Sequence, residues 1–211
     1  MAKLLYITAN PKSKETSFGL TVGASFLETY RQKNNADEII ELDLFQTYVP
    51  EIDEDVLAAW GALGSGKEWS SLSAEQQKKV SGINHLTDVF LSADKYVVVT
   101  PLWNLSVPPR MKAFIDTIVM AGKTFSYTEN GPVGLMKDKP LVHIQARGGF
   151  YSEGPAVDME FGDRYLRTVF GFIGIHDFKT IVVEGMARFP ENAETYKQNA
   201  IDHAKKVAET F

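Results

Sequence analysis

The side chains best suited to chemistry fall in three short segments of this sequence. The first, residues 10–19, contains Asn10 and several hydroxyls, and it leads into apolar positions at helical spacing with Ser17 as a good N-cap. Hydroxyls, free backbone N–H groups and the positive end of a helix dipole bind phosphate without a basic patch. We therefore predict a phosphate site here. The alternative is an ordinary polar loop capped by Ser17.

The second segment, residues 100–112, places Trp103 and Asn104 in a loop stiffened by prolines. An aromatic ring beside an amide suits a planar heteroaromatic ligand, because the ring covers its face and the amide meets its polar edge. The alternative is a rigid loop in which Trp103 is simply packed.

The third segment, residues 145–154, contains Arg147 followed by Gly148 and Gly149. Two glycines allow a ligand to approach the backbone closely, and an arginine can stabilise a carbonyl or an anionic ring. The alternative is a glycine turn with a solvated arginine. Each segment alone is weak evidence for a ligand-binding site. Three such segments at one edge of the same sheet are stronger evidence.

Composition excludes several other chemistries. The chain has no cysteine, which removes disulfides, thiolate metal sites and cysteine nucleophiles. Its four histidines are scattered, so we predict no metal site. Twenty-two basic against 27 acidic residues give a net charge of -5, which argues against nucleic acid and anionic membranes as partners. Redox chemistry would therefore require a bound organic cofactor.

A string resembling a nucleotide-binding loop occurs at residues 61–67. Glu68 follows Lys67 where such a loop needs Ser or Thr, and no clear strand precedes it. We do not expect a nucleotide site there.

Short β-branched runs alternate with segments of helical period, the pattern of a parallel sheet covered on both faces. The predicted strands cover residues 3–8, 38–43, 96–99, 141–145 and 178–183. The predicted helices begin at Ser17, at Ser73 and at Pro108 or Pro109, and two more cover about 159–170 and 191–209. The expected fold is one α/β domain, residues 1–211, a flavodoxin-like doubly wound sheet of five parallel strands. Residues 45–71 are expected to be irregular, and functional or mobile.

The first residues lack the long apolar stretch of a signal peptide. No apolar run approaches the roughly 18 to 20 residues that cross a bilayer. The expected location is the cytoplasm.

Four motifs in order resemble the FMN-dependent, NADH-using azoreductases of bacteria, which are flavodoxin-like quinone reductases. They are Pro-Leu-Trp-Asn-Leu-Ser-Val-Pro at 101–108, Ala-Gly-Lys-Thr-Phe-Ser-Tyr-Thr-Glu-Asn-Gly-Pro-Val-Gly-Leu at 121–135, Ala-Arg-Gly-Gly at 146–149 and Val-Phe-Gly-Phe-Ile-Gly-Ile at 169–175. The resemblance runs essentially from end to end.

This resemblance implies a homodimer with one tightly bound FMN per subunit, at the dimer interface. The cofactor contacts it implies are Asn10, Ser17, Phe18, Gly19, Pro101, Leu102, Trp103, Asn104, Leu105, Ala146, Arg147, Gly148 and Gly149. Phe125 and Phe172 resemble the aromatic residues of the substrate slot, supplied partly by the second subunit, and Tyr151 is a further slot candidate and a weak candidate proton donor. Phe18 and Gly19 depart from the commoner Ser-x-Ser ending of the phosphate loop.

The implied reaction is ping-pong: NADH gives a hydride to the flavin, and a quinone or azo compound then takes the same place and receives the electrons. No side chain need act as a nucleophile, because the cofactor carries the chemistry. Alternatives within enzymes are a nitroreductase-like or general quinone reductase that prefers NADPH. Other classes are a flavodoxin-type electron carrier and a flavin-free interaction protein. The extra segments 45–71 and 121–135 argue against the small carrier.

Overall fold

The computed structural model describes residues 1–211. Its strands are β1 (Lys3–Thr8), β2 (Glu38–Asp43), β3 (Lys95–Pro101), β4 (Phe125–Thr128), β5 (Gly131–Gly134), β6 (Leu141–Arg147) and β7 (Phe178–Glu184). Its helices are α1 (Phe18–Lys33), α2 (Glu54–Gly64), α3 (Ala74–Ser92), α4 (Pro109–Ile118), α5 (Gly162–Phe172) and α6 (Ala193–Ala208). No helix combines the length and apolarity that crossing a membrane requires.

Five strands form one parallel sheet in the order β2-β1-β3-β6-β7. This is the flavodoxin-like order, so the predicted fold class is confirmed. In the register of the sheet Thr8 pairs with Val99, and Pro101 pairs with Ala146. The carboxyl ends of the three central strands therefore meet at one edge.

Alternate residues of the central strands enter two separate cores, as a strand's period of two requires. One core packs Leu5, Ile7 and Val98 against α3, α4 and α5. The other packs Val97 and Val99 against α1 and α6. Helices thus cover both faces of the sheet.

The segment 45–71, expected to be irregular, instead contains α2. Asp53 caps this helix by accepting the Val56 N–H, and Lys79 of α3 contacts the carboxylates of Asp53 and Asp55 at 2.6 Å each. Ala59 packs against α3. The sequence did not predict this helix because α2 contains glycines, and glycine is a poor helix former. Tertiary packing overrides that propensity.

Other boundaries also differ from prediction. Helix α5 begins at Gly162 rather than near 159, because residues 154–159 form a 3-10 turn. The carboxylate of Glu160 accepts the Asp163 and Arg164 N–H groups and so caps this helix. Strands β6 and β7 run on to Arg147 and Glu184.

Strands β4 and β5 form an antiparallel hairpin that the sequence patterns did not predict. It is docked on the end of α5, where the Met136 N–H donates to Ile173 O at 2.8 Å. A Cβ atom on Gly134 would lie 2.2 Å from the Gly174 nitrogen. This backbone contact fixes the hairpin against residues 173–174.

A polar network lies between α5 and the sheet. His143 is fully buried, with Nε2 2.9 Å from Thr100 Oγ1 and Nδ1 2.7 Å from Asp163 Oδ1. Thr180 also donates to Asp163 Oδ1 at 2.7 Å. Burial raises the pKa of Asp163, but the bonds from His143 and Thr180 and the nearby Arg167 charge outweigh burial and lower its pKa to about 2.

We expect Asp163→Asn to lower the free energy of unfolding at pH 7 by about 2 kcal/mol. A carboxylate with a depressed pKa stabilises the fold above its ordinary pKa of 3.8, and this contribution is lost as the pH falls toward 2. Denaturant unfolding from pH 7 to pH 2.5 (~4.5 pH units) measures the free energy of unfolding of the variant and of the wild type. The difference between the two free energies should shrink as the pH falls.

The control is Asp158→Asn, because the Asp158 side chain is 97% exposed. It should leave stability unchanged. A destabilisation by Asp163→Asn that did not vary with pH would contradict the assignment of this network to the ionised carboxylate.

Candidate functional site

The loops after β1, β3 and β6 enclose two adjoining cavities at the carboxyl edge of the sheet. The first, of about 220 Å³, is lined by Asn10, Lys12, Thr16, Ser17, Phe18, Pro101, Leu102, Trp103, Ala146, Arg147, Gly148 and Met186. The second, of about 540 Å³, is lined by Leu102, Asn104, Leu105, Gly148, Gly149 and Tyr151. Leu102 and Gly148 belong to both, so the two cavities adjoin.

Hydrogen-bond donors converge on the first cavity at the start of α1. Ser17 Oγ accepts bonds from Asn10 Nδ2 at 2.9 Å and from the Leu20 N–H at 3.3 Å. Both acceptor positions are thus used, and its hydrogen is free to donate. The N–H groups of Phe18 and Gly19 have no acceptor in the chain. This set of donors, at the positive end of a helix, suits a phosphate dianion.

Gly19 allows α1 to start this close to the sheet. A Cβ atom at Gly19 would lie 3.2 Å from the Ala146 Cβ of β6. Gly19 is not among the residues that line either cavity, but it brings the helix start against the strand end and leaves its N–H among the donors there.

A tight turn after β3 borders the second cavity. Trp103 and Ser106 exchange backbone bonds of 2.9 Å, and Asn104 and Leu105 have φ values of 46° and 69°. Positive φ at both central residues defines a type I′ turn. For a leucine this backbone costs about 1–2 kcal/mol, and the Phe161 N–H holds it by donating to Leu105 O at 2.9 Å. Such strain is concentrated at functional sites.

The Trp103 side chain is oriented by the segment that follows β2. Phe45 packs edge-on against the Trp103 ring, with centroids 6.3 Å apart and the planes at 70°. Trp103 stays 38% exposed and lines the first cavity, so it offers an apolar surface to a ligand.

Arg147 is buried rather than solvated. Its guanidinium donates to Gln145 Oε1 at 2.6 Å, to Ser152 Oγ at 3.3 Å and to Glu184 Oε2 at 3.4 Å. The N–H groups of Gly148 and Gly149 have no acceptor in the chain. This loop therefore offers backbone donors, while most of the guanidinium is committed to neighbouring side chains.

Most of the predicted site residues come together. All the predicted cofactor contacts except Gly19 line one of the two cavities, and so does Tyr151. Phe125 and Phe172 line neither. They pack on each other between β4 of the hairpin and the end of α5, with ring centroids 4.8 Å apart, and Phe172 is 40% exposed.

Three cavity-lining residues were not among the predicted contacts: Lys12, Thr16 and Met186. The first two lie in the phosphate loop itself, where a lysine beside a hydroxyl-rich helix start is a usable signal. No pattern in the sequence around Met186 indicated a place in the site, because only the order of the strands brings the end of β7 to the first cavity. None of the four histidines lines either cavity.

The sequence profile of a protein family described as having a flavodoxin-like fold matches residues 2–208. The chain is 54% identical over 211 residues to the FMN-dependent NADH:quinone oxidoreductase of Geobacillus kaustophilus, covering 100% of both proteins. It is 50% identical to the protein of the same name from Staphylococcus aureus strain MRSA252, again over 100% of both.

Two solved structures of azoreductases are also similar to this chain. The azoreductase of Bacillus anthracis strain Sterne superposes with a TM-score of 0.92 at 37% identity, covering 100% of both chains. An FMN-dependent NADH-azoreductase from Bacillus anthracis strain Ames Ancestor, solved in complex with FMN, superposes with a TM-score of 0.92 at 35% identity, covering 99% of this chain and 98% of that one.

Proposed function

The chain belongs to the FMN-dependent NADH:quinone oxidoreductases of the flavodoxin-like family, and on that premise we propose how its two cavities serve this reaction. It is an FMN-dependent oxidoreductase that takes a hydride from NADH and reduces quinones. Reduction of aromatic azo compounds at the same site accords with its azoreductase neighbours. When bound, FMN supplies the two-electron chemistry, and the protein supplies binding and orientation.

The observation that carries this proposal is the pairing of a phosphate-binding helix start with an adjoining ring-sized cavity. The Ser17 hydroxyl and the N–H groups of Phe18 and Gly19 would hold the phosphate. Leu102 and Gly148 line both cavities, so the two lie side by side. A ligand with a phosphate at one end and a planar ring at the other fits both.

The second cavity offers contacts suited to the ring. Leu102 and Leu105 would cover apolar surface, with Trp103 of the adjoining first cavity beside them. Asn104 and the N–H groups of Gly148 and Gly149 would meet polar edge atoms. Tyr151 stands beside Gly149, where a Cβ would lie 3.3 Å from its ring, and would border the place of the second substrate. The donor and the acceptor would use that place in turn, which gives ping-pong kinetics.

The test of the function is to purify the protein, measure its flavin content and follow NADH oxidation with a quinone and with an azo dye. We expect bound FMN that is released on denaturation, and NADH oxidation that depends on the acceptor. A colourless protein that cannot be reconstituted with FMN would exclude the proposal. Flavin-loaded protein that accepts electrons only from a partner protein would instead favour the electron carrier.

The phosphate site has its own test. Ser17→Ala removes the donating hydroxyl, and we expect the FMN dissociation constant to rise about tenfold, the value of one charge-assisted hydrogen bond. Riboflavin lacks the phosphate, so its affinity should be unchanged in a fluorescence titration. Ser25→Ala is the matched control on the same helix, because the Ser25 hydroxyl bonds only to Thr21 O. An equal loss of affinity for both flavins would contradict the phosphate assignment.

We further propose that the enzyme is a homodimer and that Phe125 and Phe172 complete the substrate slot of the other subunit. The support is that the half-exposed Phe172 ring lines neither cavity of its own chain. In an isologous dimer residue i of one copy contacts residue j of the other and the reverse, so an aromatic pair of one copy can serve the cavity of its partner. A cytoplasmic location is also proposed, because NADH is a cytoplasmic reductant.

Subunit mixing tests this arrangement. Phe172→Ala removes an aromatic ring from the proposed slot, and Gly148→Phe fills both cavities. Each variant alone should therefore have low activity. If the slot residues come from the partner, refolding an equal mixture should restore about a quarter of native activity, because half the dimers carry one intact site. If both parts act within one chain, mixing restores nothing. Circular dichroism of each variant checks that it is folded.

A further inference from the structure

The glycine loop, residues 147–151, is fixed on the side that faces away from the cavities. The Gly185 N–H donates to the carbonyls of Arg147 and Gly149 at 3.2 Å each, and the Ala187 N–H donates to Gly148 O at 2.9 Å. All three carbonyls are thereby engaged by the chain that follows β7. The N–H groups of Gly148 and Gly149 are left for a ligand.

Gly185 also leaves room for Phe150, the aromatic residue in the middle of this loop. It has a φ of 87°, and a Cβ there would lie 2.3 Å from the Phe150 ring. Phe150 in turn packs against Phe189 and Tyr196, with centroids 5.9 and 5.8 Å away. The middle of the loop is therefore anchored by packing.

Glu184 holds the two ends of the loop. One oxygen, Oε2, accepts the Tyr151 N–H at 3.0 Å and the Arg147 Nη1 at 3.4 Å. The Glu184 side chain is only 14% exposed, and Arg147 is 5% exposed. A single buried atom thus joins the first and last residues of the loop.

We infer that Glu184 is a positioning residue for the cofactor: its carboxylate oxygen sets the loop so that the Gly148 and Gly149 N–H groups are presented to the ring edge. This rests on the proposed binding of FMN in the two cavities. Glu184 acts through Arg147 and Tyr151 and lines neither cavity. On this inference the position of the oxygen, rather than its charge, sets the role of Glu184.

Three substitutions at Glu184 separate the effect of the position of its side-chain oxygen from the effect of its negative charge. Glu184→Gln keeps an oxygen at the same distance and loses the charge, whereas Glu184→Asp keeps the charge and withdraws the oxygen by one methylene. Glu184→Ala removes both. We expect the FMN dissociation constant to rise about tenfold in Glu184→Asp and Glu184→Ala and to stay within about threefold in Glu184→Gln.

The matched control is Glu160→Gln. It removes a carboxylate charge that lies 4.0 Å from the same guanidinium, but Glu160 accepts no hydrogen bond from the glycine loop. It should bind FMN like wild type. If charge rather than reach matters, Glu160→Gln and Glu184→Gln will both weaken binding while Glu184→Asp will not, and the inference is overturned.

Two further measurements do not depend on turnover. Amide exchange at Tyr151 in the protein without FMN should quicken about tenfold in Glu184→Ala and not in Glu160→Gln. The midpoint potential of bound FMN should fall in Glu184→Ala, because misplaced N–H groups stabilise the charge of reduction less well. Loss of a carboxylate charge alone would raise the potential, and a rise would refute positioning.

The wild-type titration keeps the two proposals distinct. A wild-type protein that binds no FMN would refute the proposed function. Wild-type binding with no loss in Glu184→Asp or Glu184→Ala would refute only the role of Glu184. Should Glu184→Ala fail to fold, the comparison of Glu184→Gln with Glu184→Asp still decides the matter, because each retains a polar side chain.

Discussion

The site depends on backbone N–H groups that the fold leaves without acceptors at one edge of its sheet. They belong to the start of α1 and to the glycine loop, and lie behind two adjoining cavities. Backbone donors without an acceptor in the chain are completed by water or by a ligand. The register of β1, β3 and β6 brings these groups together, and binding of the cofactor to the folded state alone would stabilise the fold.

The polar face of β6 engages the charged residues near the cavities in hydrogen bonds. His143, Gln145 and Arg147 alternate along this strand. Asp163 of α5 meets His143, Glu160 just before α5 meets Gln145, and Glu184 at the end of β7 meets Arg147. No buried side-chain nitrogen or oxygen in the chain lacks a hydrogen-bond partner. A network this complete fixes α5 against the sheet, and its Glu184 end joins the glycine loop.

Local patterns predicted the parts of the fold that local forces determine. The bounds of β1 and β2 and the caps Ser17 and Ser73 agree with the structure, because β-branched runs and capping side chains act within a few residues. Helix α2 was missed since its glycines mask a helix that packing on α3 stabilises. The hairpin was missed because its four-residue strands are held by contact with α5.

The same distinction separates what could be predicted of the site from what could not. The three loops were found because parallel strands place their carboxyl ends together, a rule that needs only strand positions. The surroundings of Arg147 could not be found, since Glu184 lies 37 residues away and meets it only through the pairing of β6 with β7.

The acidic balance of the chain is compatible with phosphate binding because the donors at the helix start are neutral. The Ser17 hydroxyl and the N–H groups of α1 act over hydrogen-bond distances, so they need no broad positive field. Lys12 adds one cationic side chain to the cavity lining. A chain with a net charge of -5 repels polyanions, while these short-range donors would select a single phosphate by geometry.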